Sequence, residues 1–219
     1  MKIAILGGTG SLGKGLASRW VRSGHDVLIG SRELEKGKEV AISLGLSESA
    51  GMLNIDAAQS CEIACLTVPF AHQEATLLSI GNSLNNKIMI DATVPLMPPK
   101  VMRVQLPEVG SAALNAQLIL GENTTVVSAF QNISAELLQT DAEIDCDVLV
   151  AFGDIDSSQS TSRLEIKANA LSGSAVKVHS CHVDYGCGWL DEEKVEWSPN
   201  HRPEYREMHF SVDVRDAFG

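Results

Sequence analysis

The chain has 219 residues, 44% of them hydrophobic and 21% charged, and a formal net charge of -11. That length supports one domain with a full core, or one domain plus a small appendage. An acidic chain repels nucleic-acid backbones and anionic lipid, so neither nucleic acid nor a membrane surface is expected as a partner, and a phosphate-bearing ligand would need a local basic cluster. No apolar run approaches the length of a membrane-spanning helix. The five cysteines, Cys61, Cys65, Cys146, Cys181 and Cys187, are odd in number and scattered, which does not suggest a disulfide framework. The N-terminus reads as a strand rather than a signal peptide, so a cytoplasmic location is expected.

From residue 1 to about 150, apolar strands alternate with helical stretches. Lys2 to Leu6 is a short apolar run suited to a buried parallel strand. Ser11 to Ser23 reads as a helix with Leu12, Leu16, Trp20 and Val21 on one face and Gly24 closing it. Val27 to Ile29 is a second strand and Glu33 to Leu44 a second helix; Met52-Leu53 reads as a short third strand. Ile63 to Val68 is a fourth strand, followed by a helical stretch from Ala71 to Ile80 and a fifth strand from Lys87 to Ala92. Leu96 to Pro107, with prolines at 98, 99 and 107, reads as a loop. Ser111 to Leu120 is helical, Thr124 to Ala129 a sixth strand and Asp147 to Phe152 a seventh. Strands joined by helical crossovers imply an α/β, Rossmann-type, doubly wound parallel sheet. The pattern fades afterwards, so the expected division is a dinucleotide-binding domain over 1–152 and a small C-terminal domain or extension over 153–219. No architecture follows from the residues of that second segment.

Between the first strand and first helix runs Gly7-Gly8-Thr9-Gly10-Ser11-Leu12-Gly13, in which Gly8, Gly10 and Gly13 satisfy G-x-G-x-x-G. The strand before it and the helix after it are what make this match informative. Gly8 is expected to allow the tight turn, Gly10 to let a pyrophosphate approach the backbone, and Gly13 to let the helix lie close on the strand. The pyrophosphate would then face the free amides and positive dipole end of the helix.

The tip of the second strand selects the dinucleotide. An NAD site places an acidic residue there to bond the ribose 2′-OH. This chain has Ile29-Gly30-Ser31-Arg32, with Lys36 one helical turn on. Arg32 can fork onto a 2′-phosphate and stack on adenine, Ser31 can donate a hydrogen bond, and Lys36 adds a point charge. The expected cofactor is therefore NADP(H).

The nicotinamide end is expected where the fourth, fifth and sixth strands finish, at Val68-Pro69, Val94-Pro95 and Ala129. His72 suits either a bond to phosphate or ribose or a cap on the following helix. Asp91 reads as a carboxylate holding a loop rather than as a catalyst. No Ser-His-Asp set or nucleophile elbow is present, and no catalytic side chain is expected, because a hydride donor carries its own chemistry. His179, Cys181, His182 and Cys187 are potential zinc ligands within one short stretch, but paired C-x2-C spacings are missing, so no metal site is expected.

Taken together, the glycine loop, Gly13-Lys14-Gly15-Leu16-Ala17, Gly30-Ser31-Arg32, Asp91-Ala92-Thr93-Val94-Pro95, Val127 to Asn132 and Asp145 to Val150 resemble the NADPH-dependent F420 reductases. The resemblance covers about residues 1 to 155. It implies hydride exchange between NADPH and the deazaflavin coenzyme F420, with the two rings face to face. It also implies that Thr9, Gly10, Ser11 and Leu12 hold the pyrophosphate and that Ser31, Arg32 and Lys36 hold the 2′-phosphate. Val68, His72, Val94 and Ala129 would line the rest of the dinucleotide site. In that family a small apolar helical domain completes the deazaflavin site and a homodimer, whereas this chain continues into His179 to Cys187 and a charged tail. Two alternatives stay open at this point: reduction of a flavin or another acceptor, and a non-catalytic NADP-binding module.

Overall fold

The computed structural model describes residues 1–96, 104–142, 144, 147–153 and 177–183. In chain order the elements are β1 (Lys2–Leu6), α1 (Ser11–Arg22), β2 (Asp26–Ser31), α2 (Leu34–Ser43), β3 (Gly51–Leu53), α3 (Asn54–Ser60) and β4 (Ile63–Leu66). Then follow α4 (Gln73–Ile80), β5 (Ile88–Asp91), α5 (Ala112–Leu120), β6 (Thr125–Ala129), α6 (Ala135–Leu138), β7 (Asp147–Gly153) and β8 (Lys177–Val183). The described strands form one sheet in the order β3-β2-β1-β4-β5-β6-β7-β8. Strands β1 to β6 pair in parallel, so the doubly wound sheet read from the sequence is the observed fold.

Successive buried residues along each strand alternate between two cores, one on each face of the sheet, and the helices divide between them. Ile3, Ile5, Val27, Ile29, Ile63 and Cys65 join Leu16, Trp20, Val40 and Ala41 of α1 and α2 in one core. Ala4, Leu6, Leu28, Ala64 and Leu66 join Ala57, Leu77, Ile80 and Ala116 of α3, α4 and α5 in the other. With both faces covered, most strand residues are apolar, which is why β1 and β4 read as nearly continuous runs rather than alternating ones. The winding reverses between β1 and β4, and the carboxyl ends of those two strands flank the crevice where such sheets take ligands.

Helix α1 is set by its ends. Gly10 occupies the N-cap position in extended conformation, Gly24 (φ 78°) supplies the left-handed turn after the last residue, and Arg19 and Arg22 lie in the last turn, where cations favour the dipole. Arg19 also donates to the carbonyls of Leu137, Leu138, Thr140 and Ala142, fastening α1 to the region of α6.

Two features depart from the expected all-parallel sheet. Strand β7 runs antiparallel to β6, with Ala129 opposite Val150 and Val127 opposite Phe152. Strand β8 then pairs in parallel with β7 from Asp147↔Lys177 to Gly153↔Val183, so the sheet continues across residue 153 into the segment that gave no architecture from its residues.

Gly15 allows the close approach of α1 and α6. A Cβ there would lie 2.6 Å from Leu138 Cβ and 3.3 Å from the Ala135 carbonyl oxygen. Alanine gains about 0.8–1 kcal/mol over glycine in a helix interior, but overpacking costs about 1–3 kcal/mol. Gly15→Ala is therefore expected to lower the denaturant midpoint, and a raised midpoint would show that α6 yields at no cost.

Candidate active site

The strand register aligns the site. Gly30, Leu6, Leu66, Asp91 and Ser128 are successive partners across β2, β1, β4, β5 and β6. Of the residues that follow them, Ser31 and Ala129 end β2 and β6, and Gly7, Thr67 and Ala92 begin the loops after β1, β4 and β5, so five neighbouring loops leave one edge of the sheet. Every residue assigned to the dinucleotide from the sequence lies on those loops or at the start of the helix each loop enters.

The glycine loop is held from three sides. Gly7 N donates to Asn54 Oδ1 at 3.1 Å, Gly8 N donates to the Gly30 carbonyl at 2.9 Å, and Thr67 Oγ1 donates to the Leu6 carbonyl at 3.2 Å. The turn itself belongs to Gly7 (φ 74°) and not to Gly8. Gly8 is required for space instead, since its Cβ would lie 2.9 Å from the Ile5 carbonyl oxygen. Gly13 is packed as expected, with a Cβ there 2.7 Å from Gly8 Cα and 2.9 Å from Thr67 Oγ1. Gly10 is different. It is exposed, and its Cβ would meet only the Gly7 carbonyl oxygen, at 3.9 Å. The first turn of α1 has neither a capping side chain nor an acidic residue, so its leading amides are left for an external acceptor. An open glycine before an uncapped helix end fits a pyrophosphate. Thr9 and Leu12 flank this opening half-buried, and Ser11 is exposed.

At the β2 tip, Ser31 is 4% exposed and its Oγ accepts from Glu33 N at 3.1 Å, leaving the hydroxyl proton free to donate. Arg32 is exposed and forms no ion pair among the described residues. Lys36 is partly neutralised, because its Nζ lies 2.7 Å from Glu33 Oε1. Glu35 turns away from the tip to Lys38. Arg32 is thus the cation at the tip that has no ion-pair partner among the described residues.

On the other side of the crevice, Val68 is half-buried and packs toward the glycine loop: a Cβ on Gly7 would run into Val68 Cγ1. Val94 is half-buried and Ala129 is 2% exposed. His72 is exposed in a short 3-10 turn (Phe70–His72) and sits at the N-cap position of α4 without a side-chain capping bond, so the capping role considered for it is not observed. Asp91 is fully buried and accepts from Gln73 Nε2 at 2.7 Å and from Thr93 N at 2.9 Å, as a loop-holding carboxylate should. Burial pushes its pKa up, against the opposing hydrogen bonds from Thr93 and Gln73. Burial likewise pushes the Cys61 and Cys65 thiols up, which makes them inert.

Three contributors escaped the sequence reading. Asn54 opens α3, a helix too short and polar to show periodicity. Phe130 has φ 72° and is buried with its ring edge-on to Trp20 at a centroid distance of 6.0 Å. A non-glycine residue in that region costs about 1–3 kcal/mol, and the packing of Phe130 in the core offsets it directly after Ala129. Gln73 shares the buried face of α4 with Thr76, Leu77 and Ile80, and no motif marks it.

A family model described as NADP oxidoreductase, coenzyme F420-dependent, matches residues 2–95. An F420-dependent NADP reductase of Methanothermobacter marburgensis is 39% identical over 206 residues, which cover 89% of this chain and 87% of that protein. The chain belongs to the F420-dependent NADP reductase family. A second reductase of this family, from Methanothermobacter thermautotrophicus, is 38% identical over 182 residues, 78% of each chain. A solved structure from Arthrobacter sp. FB24, provisionally described as an F420-dependent NADP reductase, has a TM-score of 0.62 at 23% identity, covering 83% and 85% of the two chains, and speaks for the fold alone. A match over 89% of the chain cannot end at residue 155, so the family likeness runs on into the segment that the residue reading had set apart. Of the four residues weighed as zinc ligands there, His179, Cys181 and His182 fall within β8 and Cys187 lies outside the described residues.

The glycine geometry separates two substitutions. Gly10→Val is expected to abolish NADP(H) binding while the protein still melts cooperatively, because the branched side chain enters the open space. Gly13→Val is expected to lower the melting temperature as well, because it meets backbone. Retained binding in folded Gly10→Val would contradict the assigned loop.

Proposed function

We infer that the chain transfers a hydride between NADP(H) and coenzyme F420. The observation that carries this reading is the alignment of five loops along one sheet edge, between an uncapped helix end and the Arg32 tip, in a chain whose family is the F420-dependent NADP reductases. In our reading Gly8, Thr9, Gly10, Ser11, Leu12 and Gly13 form the pyrophosphate cradle. Ser31 and Arg32 hold the 2′-phosphate, with Lys36 assisting once it releases Glu33. Val68, His72, Val94 and Ala129 border the nicotinamide end.

The dihydronicotinamide supplies the hydride, so the chain needs no nucleophile of its own for the chemistry. Its residues position and exclude water. Val68, Val94 and Ala129 offer small apolar groups beside free loop backbone, which suits two stacked planar rings. Orientation is then the main catalytic term. The deazaflavin is the small-molecule partner. A cytoplasmic enzyme that associates as a homodimer and avoids nucleic acid is the setting we propose, on the acidic charge and the family resemblance. Among the described residues no helix is long and apolar enough to cross a membrane.

NADPH is expected to bind at least about tenfold more tightly than NADH, and Arg32→Ala to weaken NADPH by about 1–3 kcal/mol while leaving NADH nearly unchanged. Titration of both dinucleotides checks this, and equal affinities in the parent protein would contradict the assignment of the tip. Deuterium placed on the transferred position of NADPH is expected at C5 of the reduced deazaflavin. Washout of the label into solvent, or reduction of a flavin but not of F420, would overturn the reading.

A further inference from the structure

A buried polar cluster lies at the carboxyl end of β5, among residues not assigned above to the dinucleotide. Asp91, Gln73 and Thr93 are 0%, 1% and 3% exposed. Asp91 Oδ2 accepts from Gln73 Nε2 at 2.7 Å, and Oδ1 accepts from Thr93 N at 2.9 Å. The Asp91 carbonyl oxygen accepts from Gln131 Nε2 at 2.7 Å, and the same nitrogen lies 2.8 Å from Ser128 Oγ. Gln73 Nε2 also reaches Thr93 Oγ1 and the Ala112 carbonyl, each at 3.0 Å, while Gln73 Oε1 accepts from Asn115 Nδ2 at 3.0 Å.

These bonds join three separate loops. Gln73 is the first residue of α4 and ends the loop that carries Val68 and His72. Thr93 precedes Val94 in the loop after β5, and Gln131 belongs to the loop after β6, two residues past Ala129. The neighbour of Asp91 in the register on β4 is Leu66, in a core that is otherwise apolar. A buried carboxylate in such a place is costly, and well-packed apolar residues would stabilise the fold as well or better. What apolar packing lacks is direction. Hydrogen bonds fix the relative placement of three chain segments, and hydride transfer is sensitive to displacements of about 1 Å, worth roughly 100-fold in rate.

We infer that Asp91, Gln73 and Gln131 are positioning residues that lock the three nicotinamide-side loops to one another and so set the geometry of hydride transfer without touching either substrate. The inference rests on the hydride-transfer reading above. The residues assigned to the pyrophosphate and 2′-phosphate lie on the β1–α1 loop, the start of α1, the end of β2 and the start of α2, outside this network, so dinucleotide affinity and transfer rate should separate.

The test uses the full chain and four variants. Gln131→Leu removes one donor and leaves the carboxylate and its partners in place. Asp91→Asn sets an amide against the Gln73 amide, and Gln73→Glu sets two carboxylates together. The double variant Asp91→Asn/Gln73→Glu restores the donor–acceptor pair between positions 91 and 73 with its direction reversed, while the donor to the Ala112 carbonyl stays lost. Each is assayed for its melting temperature, NADP+ dissociation constant, single-turnover transfer rate to F420, and near-UV circular dichroism of bound NADPH, which reports ring orientation without turnover. The three single variants are expected to lose about 10- to 100-fold in transfer rate, with NADP+ affinity within about threefold and an altered dichroic band. The double variant should recover about tenfold over the weaker single. Unchanged rate and dichroism in folded Gln131→Leu would overturn the inference. So would a double variant no better than its singles, or affinity falling in step with rate. Should the parent protein bind NADPH yet leave F420 unreduced, the assigned reaction fails, while the dichroic pattern across the variants still decides the positioning role.

Discussion

Gly30, Leu6, Leu66, Asp91 and Ser128 stand side by side in the sheet, and the chain leaves each of them into a loop of the site. This shared register is the constraint on which the other features depend. It is enforced by burial on both faces, because a slip of one residue would move each apolar side chain from one core to the other. The helices fix the faces, the faces fix the register, and the register fixes which loops meet. The crevice is thus a consequence of packing, and only its chemistry is left to individual residues.

That chemistry must work against the charge of the chain as a whole. With a net charge of -11 the protein repels a polyanionic dinucleotide at long range, and the positive elements are short-range ones. They are the uncapped amides at the start of α1 and the Arg32 guanidinium. Lys36 is held by Glu33 in this state, so it contributes only if that exposed pair opens. Exposed i,i+3 pairs are weak, so the opening costs little. Such an arrangement favours a ligand that offers phosphate at two separated points over one that offers it at one.

Much of the fold was legible in the sequence, for a physical reason. Parallel strands buried on both faces favour apolar runs, which marked β1 as a strand, and β4, β5 and β6 were recognised as strands between helical stretches. The glycine loop was legible because the residue type is dictated by contact, although the sequence misplaced the left-handed turn by one residue. Other features were not legible. Nothing local to β7 marks its antiparallel pairing with β6, and β8 has only Val178 and Val183 as aliphatic residues among seven. Asn54 and Gln73 act through bonds to residues far away in the chain, so nothing local marks them. The extent of family likeness was underestimated for a similar reason. The conspicuous motifs cluster at the strand ends of the first 155 residues, whereas the match covers 89% of the chain.

The most direct test of the shared crevice is amide hydrogen exchange with and without NADP+. Protection is expected in Gly7 to Gly13, Thr67 to His72, Ala92 to Pro95 and Ala129 to Asn132, which are the loops at the carboxyl ends of the parallel strands. Ser23 to His25, Asn85 to Lys87 and Gly121 to Thr124, at the opposite edge of the sheet, should be unchanged. Protection concentrated at that opposite edge, with the glycine loop exchanging as in the free protein, would contradict the account.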